Sequence, residues 1–173
     1  MNIVVSQIGE DEGLDVHHLY PEGEPRLLGG EGHLIGQCEV NLRATRAAEK
    51  VELIGGVIAE VEFECDRCLA PVAVPIEQSF ELLYVPPLQS GEERELGEQD
   101  LSIGFYRCDV INVDDLAREQ IELALPMARL CSDRCRGLCP GCGANLNEGQ
   151  CSCATRQVDQ RWAALDELKS RLS

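Results

Sequence analysis

Long apolar runs, aromatic side chains and histidines are all scarce in this chain of 173 residues. No segment approaches the roughly 20 consecutive apolar residues that a membrane-spanning helix needs. Residues 1–13 lack the basic and apolar regions of a secretory signal. We therefore expect a cytoplasmic protein that does not enter a membrane.

Aromatic residues make up only 4% of the chain, which leaves little surface on which nucleic-acid bases could stack. Phe63, Phe80 and Tyr84 occupy apolar positions of predicted strands, and Trp162 lies on the apolar stripe of a predicted helix. These positions favour roles in the core. RNA recognition by base stacking is therefore not expected.

Catalytic signatures are also scarce. The three histidines, His17, His18 and His33, lie in the loop-rich front of the chain, and no Cys/His nucleophile pair is close in sequence. The glycine-rich run at 29–32 lacks the lysine and hydroxyl residue of a phosphate-binding loop. The sequence therefore predicts a protein that is not an enzyme.

Basic residues are few in the front of the chain. Residues 1–125 carry 8 basic and 26 acidic residues, a net charge of −18, whereas residues 126–173 carry 7 basic and 5 acidic residues, a net charge of +2. The front is a poor binder of phosphate, because such binding depends on Lys and Arg. Its acidity either keeps the protein soluble or attracts a basic partner such as a ribosomal protein.

Apolar and polar residues alternate over two long segments in the middle of the chain, as expected of half-buried strands. The segments at 57–65 and 72–84 predict a long antiparallel hairpin, and its tip is Cys65-Asp66-Arg67-Cys68. Other predicted strands cover residues 1–5, 14–19, 38–44 and 101–108.

Two helices are predicted. Asn112 is a suitable N-cap for a helix over residues 112–125, which Pro126 ends. Thr155 is a suitable N-cap for a C-terminal helix with an apolar stripe.

These elements predict an α+β protein that is mainly β, with an antiparallel curved sheet or a small open barrel and two helices. The predicted division is a β-rich domain over residues 1–126, which includes an acidic loop at 86–100. A Cys-rich metal-binding segment and the C-terminal helix follow over residues 127–173.

Cysteine, in contrast, is abundant: eight of the ten cysteines fall into two tight groups. Thiolates two to four residues apart can point at one ion, and Cys139-Pro140-Gly141-Cys142 has the form of a metal-binding knuckle. In a reducing compartment, such clusters favour metal ligation over disulfides. The predicted ligands are Cys65, Cys68, Cys131, Cys135, Cys139, Cys142, Cys151 and Cys153.

Zn²⁺ is the predicted cofactor, because closed shells of cysteine are typical of structural zinc sites. Iron and iron–sulfur clusters also use all-cysteine shells and stay as an alternative. One partition completes the knuckle with Cys151 and Cys153 and the hairpin tip with Cys131 and Cys135. Six clustered cysteines permit other pairings.

The two remaining cysteines, Cys38 and Cys108, are predicted to be ordinary buried thiols on strand faces. A redox role for Cys65-x-x-Cys68 is disfavoured, because reactive dithiols normally lie at a helix N-terminus, and here a strand follows.

Four arginines near the cysteines are candidates for contact with RNA phosphates: Arg67, Arg129, Arg134 and Arg136. A loop made rigid by metal holds an arginine at little entropic cost. Alternatively, these side chains face solvent, pair with Asp66 and Asp133, or donate to the cysteine sulfurs.

Three segments together resemble a known family. They are Cys65-Asp66-Arg67-Cys68-Leu69-Ala70-Pro71, the run Leu-Ala-Arg-Glu-Gln-Ile-Glu-Leu-Ala-Leu-Pro at 116–126, and the Cys-rich segment at 130–153. Their order and spacing over about residues 57–153 resemble the YceD family, the large ribosomal RNA subunit accumulation proteins.

The resemblance implies a non-enzymatic ribosome-biogenesis factor that promotes accumulation or processing of large-subunit (23S) ribosomal RNA. The implied partner is that RNA or its precursor particle. Two alternatives stay open: an acidic escort of a basic ribosomal protein, and a metal or redox regulator.

Overall fold

The computed structural model describes residues 1–10, 12–28, 32–87 and 103–153. Within these ranges, the regular elements are eight strands, one α-helix and two short 3-10 turns. The strands are β1 Asn2–Val4, β2 Leu14–Tyr20, β3 His33–Leu34, β4 Cys38–Ala47, β5 Lys50–Glu64, β6 Pro71–Val85, β7 Ile103–Phe105 and β8 Val110–Asn112, and the helix is α1 Val113–Ala124.

The main sheet has the strand order β2-β4-β5-β6-β7, and β3 also pairs with β5. All its pairs are antiparallel except β6 with β7, which are parallel. The prediction of a wholly antiparallel sheet is therefore wrong at β7. The chain between Val85 and Ile103 is long enough for the crossover that parallel pairing requires.

The main sheet is open, because β2 and β7 form its two ends and do not pair with each other. It is therefore a sheet and not a closed barrel. The predicted strand over residues 1–5 forms as β1, but it pairs with β8 in a separate two-stranded sheet.

The long hairpin predicted from the sequence forms as β5 and β6, whose register runs from Val51 opposite Tyr84 to Glu64 opposite Pro71. Alternate side chains point to opposite faces, so Val57 is buried while Ile58 is half exposed. The hairpin therefore has an inner face toward the core and an outer face toward solvent, and its tip lies between Glu64 and Pro71.

Helix α1 covers the inner face of the sheet. The Asn112 side chain caps it by accepting hydrogen bonds from the backbone N–H groups of Asp114 and Asp115. The helix ends before Pro126, as predicted. Its buried residues Leu116 and Ile121 belong to the same apolar core as the inner residues of β2, β4, β5 and β6.

A buried carboxylate, Asp114, joins the start of α1 to the front of the chain. It accepts hydrogen bonds from the Tyr20 hydroxyl at 2.7 Å and from Arg26 Nη1 at 2.9 Å, and it pairs with the amino group of Met1. These contacts hold β2 and the 3-10 turn at Pro25–Leu27 against the helix.

The two isolated cysteines differ in their surroundings. Cys38 on β4 is fully buried, as predicted, but the prediction for Cys108 is wrong, because its side chain is exposed. Cys108 and Asp109 have φ values of +53° and +62° between bridged Arg107 and Val110. They form the corner of a tight turn, which directs Cys108 to solvent.

The predicted C-terminal helix and residues 88–100 of the predicted acidic loop lie outside the described residues. The division of the chain at residue 126 likewise stays a prediction. Among the described residues, α1 is the one α-helix, and it is too short and too polar to span a membrane.

Candidate metal centres

The fold brings together four cysteines from two distant segments: Cys65, Cys68, Cys131 and Cys135, here called the first cysteine group. Their sulfur atoms all lie within 4.8 Å of one another. The Sγ atoms of Cys65 and Cys135 are 3.8 Å apart, and those of Cys68 and Cys131 are 3.5 Å apart. A tetrahedral zinc ion with Zn–S bonds of about 2.3 Å separates its sulfurs by about 3.8 Å. The spacing therefore suits one metal ion.

The other four clustered cysteines converge in the same way: Cys139, Cys142, Cys151 and Cys153, here called the second cysteine group. Their sulfur atoms also lie within 4.8 Å of one another, and the Sγ atoms of Cys139 and Cys151 are 3.3 Å apart. Of the pairings that the sequence permitted, the fold selects this partition. Each group can hold a metal ion.

The tip of the β5–β6 hairpin aims two sulfurs of the first group to the same side. The N–H of Cys65 donates to the carbonyl of Ala70 at 2.8 Å, and the N–H of Leu69 donates to the carbonyl of Cys65 at 2.9 Å. Leu69 has a φ of +60°, which lets the chain turn back into β6. The tip thus has the form of a metal-binding knuckle, built at the end of a long hairpin.

The segment after α1 is held on this knuckle by reciprocal hydrogen bonds. The N–H of Asp66 donates to the carbonyl of Arg129 at 2.9 Å, and the N–H of Arg129 donates to Asp66 Oδ2 at 2.7 Å. The N–H of Cys131 then donates to Cys65 Sγ at 3.4 Å. These contacts position Cys131 beside the hairpin cysteines.

The second knuckle has similar local geometry. The N–H of Gly141 donates to Cys139 Sγ at 3.4 Å, and the N–H of Gly143 donates to the carbonyl of Cys139 at 2.8 Å. Gly143 has a φ of +73°, a conformation that favours glycine. Backbone donors thus stabilise a thiolate at Cys139.

The second knuckle is fastened to the first. The N–H of Leu138 donates to the carbonyl of Arg67 at 3.0 Å, and Arg67 Nη1 donates to the carbonyl of Cys135 at 3.0 Å. Leu138 also forms an antiparallel bridge with Asn145. The chain between the two groups is therefore hydrogen-bonded to the hairpin tip.

Asn147 is a supporting residue that sequence reasoning did not single out. Its side-chain amide donates to Cys135 Sγ at 3.4 Å, and its Oδ1 accepts from the N–H of Arg136 at 2.8 Å. The sequence offered one signal for it, since Asn147 ends the run Gly-Ala-Asn-Leu-Asn at 143–147, which lies in the Cys-rich segment that resembles the YceD family.

The thiols of the first group differ in acidity. Burial raises the pKa of Cys65, but hydrogen bonds from the N–H groups of Arg67, Cys131 and Cys68 outweigh it and hold that pKa at about 6. Hydrogen bonding to Cys68 and Cys135 raises the pKa of Cys131 to about 12. Four clustered thiols therefore ionise together only where a cation balances their charge.

The thiols of the second cysteine group also differ in acidity. The N–H of Gly141, followed by the Cys151 thiol, lowers the pKa of Cys139 to about 6. Hydrogen bonds to Cys142 and Cys139 raise the pKa of Cys153 to about 12. The donor set again suits a divalent cation with an affinity for sulfur.

The two groups differ in burial. In the first group, Cys65, Cys68 and Cys135 are buried, and Val72, Leu130 and Leu138 pack against them. In the second, Cys142 and Cys153 are exposed. Cys131 is the one exposed cysteine of the first group, whereas the second group has two, so the second group is more open to solvent.

The four candidate arginines have different surroundings. Arg129 lies over the ring of Phe63 at 4.9 Å and pairs with Asp66 Oδ1 at 3.3 Å. Arg67 is exposed and donates to the backbone of Cys135. The exposed side chains of Arg134 and Arg136 make no ion pair or hydrogen bond to the part of the chain that the structure describes.

A family model described as "Large ribosomal RNA subunit accumulation protein YceD" matches residues 53–169. This range contains all eight clustered cysteines. The chain belongs to the YceD family. The family resemblance expected from the sequence is thereby confirmed.

Curated relatives of this YceD chain come from bacteria and plants. An uncharacterized protein of Mycobacterium tuberculosis is 31% identical over 171 residues, which cover 97% of this chain and 81% of the relative. A protein of Arabidopsis thaliana is named large ribosomal RNA subunit accumulation protein YCED homolog 1, chloroplastic. It is 24% identical over 176 residues, which cover 88% of this chain and 51% of the relative.

A protein of Zea mays with the same name is 29% identical over 146 residues, which cover 69% of this chain and 49% of the relative. The YceD chain thus matches about half the length of each plant relative. No solved structure matches it significantly.

Proposed function

We propose that this YceD-family protein is a non-enzymatic ribosome-biogenesis factor that promotes accumulation or processing of large-subunit (23S) ribosomal RNA. The observation that carries the proposal is the family match over residues 53–169, which includes both cysteine groups and all four candidate arginines. Two plant relatives are named large ribosomal RNA subunit accumulation proteins. The proposed partner is that RNA or its precursor particle, in the cytoplasm.

We infer that each cysteine group holds one Zn²⁺ ion in a structural role. The sulfur spacing suits a tetrahedral shell, and backbone N–H groups support the thiolates at Cys65 and Cys139. Four cysteines per ion leave no open coordination position, which disfavours metal-based catalysis. The zinc ions instead stabilise loops that have little apolar core of their own.

Metal analysis of the purified protein tests the zinc assignment. The intact chain is expected to be colourless and to hold two zinc ions, whereas Cys68→Ser and Cys142→Ser each lose one. Cys108→Ser is the matched control, because Cys108 is an exposed cysteine outside both groups. A coloured protein with bound iron, or less than one zinc per chain under reducing conditions, would contradict the assignment.

For contact with RNA, we propose Arg134 and Arg136 as the principal phosphate ligands. Both are exposed on a segment fastened to the first cysteine group, and their side chains are not engaged by described residues. Arg67 is exposed beside them and can contribute a third positive charge. Arg129 is held by Asp66 and Phe63, which favours a structural role for it.

The salt dependence of RNA binding tests this assignment. Each phosphate contact contributes roughly 0.7 to the slope of log K against log salt for single-stranded RNA. Arg134→Gln/Arg136→Gln is therefore expected to lower the slope by about 1.4. The control Arg107→Gln/Arg118→Gln removes the same charge from exposed or half-buried positions elsewhere. Equal slopes for the two double variants would contradict the assignment.

A cellular assay tests the function itself. Cells that lack the gene are expected to contain less large-subunit RNA relative to small-subunit RNA. The intact protein and Cys108→Ser should restore the ratio, and Cys68→Ser should not. An unchanged RNA ratio in the deletion strain would rule out the proposed function.

A further inference from the structure

One broad surface of the protein takes no part in the sites described above. It is the face of the main sheet that points away from α1, here called the outer face, and it is formed by alternate residues of β2, β4, β5 and β6. No element of the described chain covers it. It holds three large apolar side chains, Ile54 and Ile58 on the central strand β5 and Leu19 on the edge strand β2, which are 51%, 52% and 46% exposed.

The strand register groups these apolar residues. Leu19 lies in the same cross-strand row as Ile58, because Glu39 on β4 is opposite both. Ile54 lies four residues before Ile58 on the same face of β5, and Gly56 lies between them on that face. Because Gly56 has no side chain, no side chain of β5 separates the two isoleucines on this face.

Carboxylates surround the apolar centre. Glu77 is opposite Ile58, and Glu81 is opposite Ile54. Beyond Lys50 at the start of β5, the strands β5 and β6 contain no basic residue. Their glutamates on the outer face are Glu52, Glu60, Glu62, Glu64, Glu77 and Glu81.

The one arginine near the centre of this face is already engaged. Arg43 Nη1 lies 2.9 Å from Asp15 Oδ2, and Arg43 Nη2 donates to the carbonyl of Glu12 at 2.8 Å. It therefore does little to neutralise the glutamates of the hairpin. The outer face combines exposed isoleucines with an unbalanced negative charge.

We propose that the outer face docks a polypeptide segment that is rich in Lys and Arg and that also carries apolar side chains. Apolar side chains of the segment cover Ile54 and Ile58, which removes an exposed patch from water. Its cations meet the surrounding glutamates, and this complementarity speeds association and fixes orientation.

Charge complementarity selects this occupant over two others. RNA is disfavoured, because the same glutamates repel phosphate. A second copy is also disfavoured, because a two-fold interface would place this acidic face against itself. The proposal goes beyond RNA accumulation and does not depend on the arginines of the Cys-rich segment.

A peptide titration monitored by NMR tests the docking. The full chain, labelled with ¹⁵N and loaded with zinc, is mixed with a synthetic peptide in which Lys and Arg alternate with Val and Leu. The largest changes in amide chemical shift are expected at the central residues of β5 and β6, including Gly56. A peptide of equal charge with Ser in place of Val and Leu should bind more weakly, because it leaves the isoleucines uncovered.

Double variants test which side chains of the outer face contribute to peptide affinity. Ile54→Ser/Ile58→Ser and Glu77→Gln/Glu81→Gln are each expected to weaken binding of the alternating peptide roughly tenfold. Glu119→Gln/Glu122→Gln removes the same charge from the exposed surface of α1 and should leave binding unchanged. The NMR spectra report in the same experiment whether each variant is folded.

Three outcomes would overturn the proposal. They are shifts confined to the Cys-rich segment, equal affinity for the two peptides, and self-association of the free protein through the outer face. None of these outcomes bears on the RNA ratio in cells, so the docking proposal and the RNA function can fail separately.

Discussion

The side-chain amide of Asn147 donates a hydrogen bond to the Sγ atom of Cys135 over 3.4 Å. Asn147 follows the second knuckle in the chain, whereas Cys135 belongs to the first cysteine group. A residue placed by one knuckle thus supports a sulfur of the other group. Donors of this kind orient a metal ligand and tune its affinity.

Asn147→Ala is therefore expected to accelerate zinc loss from the first group by about tenfold. A colour-forming chelator measures the release of zinc from the purified protein over time. Asn41→Ala is a suitable control, because Asn41 is an exposed asparagine on β4 that bonds to Glu39 instead of a sulfur. If both variants release zinc at the rate of the intact protein, the hydrogen bond from Asn147 has no role in metal retention.

The connection between the knuckles also depends on Gly137. Its φ is +73°, and an added Cβ would lie 3.0 Å from the carbonyl oxygen of Arg67. Gly143 has the same φ, but an added Cβ there would meet no atom within 4 Å. Alanine substitutions at Gly137 and Gly143 therefore separate the effect of backbone conformation from the effect of steric crowding.

Gly143→Ala is expected to lower the free energy of unfolding by about 1–2 kcal/mol, the cost of a left-handed conformation. Gly137→Ala carries the same cost and also disturbs the hydrogen bond from Leu138 to Arg67. Its free energy of unfolding should therefore decrease by more than that of Gly143→Ala. Urea unfolding of the zinc-loaded proteins measures both values. Equal losses would mean that the chain near Arg67 adjusts without strain.

Alkylation distinguishes the cysteines by environment. In the zinc-loaded protein, iodoacetamide is expected to modify Cys108, which is exposed and outside both cysteine groups. Cys38 should stay unmodified, because burial raises the pKa of its thiol to about 11. Removal of zinc by a chelator should make Cys131, Cys142 and Cys153 reactive, because their side chains are exposed and their sulfurs no longer bind metal. Mass spectrometry identifies the modified residues, and labelling of these three before chelation would contradict metal binding.

Asp114 should make stability depend on pH. Burial alone would raise its pKa, but hydrogen bonds from the Met1 amino group and the Tyr20 hydroxyl lower that pKa below its ordinary value. Because the folded pKa is lowered, this stabilisation is complete above the unfolded value of about 3.9 and is lost as the pH falls through the folded value.

Asp114→Asn is therefore expected to cost about 2 kcal/mol of unfolding free energy at neutral pH. Its deficit against the intact protein should shrink as the pH falls below about 3.9. Urea unfolding at a series of pH values measures this difference, and loss of zinc in acid affects both proteins alike. A deficit that is constant over the acid range would show that Asp114 stabilises the fold by packing and not by its charge.

Local patterns in the sequence predicted several elements correctly. Alternation of apolar residues predicted the β5–β6 hairpin, and Asn112 and Pro126 predicted the two ends of α1. These features depend on neighbours along the chain, so they can be read without knowledge of the fold. Cys108 was misjudged, because a tight two-residue turn interrupts the strand pattern there and reverses the direction of the side chain.

The sequence by itself determined that eight cysteines stand at the spacing of metal ligands, because that spacing is a property of short turns. It also determined the hairpin, its cysteine tip and the family to which the chain belongs. Only the tertiary structure decided how the cysteines are partitioned and which arginines are engaged. It alone placed Ile54 and Ile58 among glutamates on an uncovered face. These features depend on residues distant in sequence, which strand register and long-range hydrogen bonds bring together.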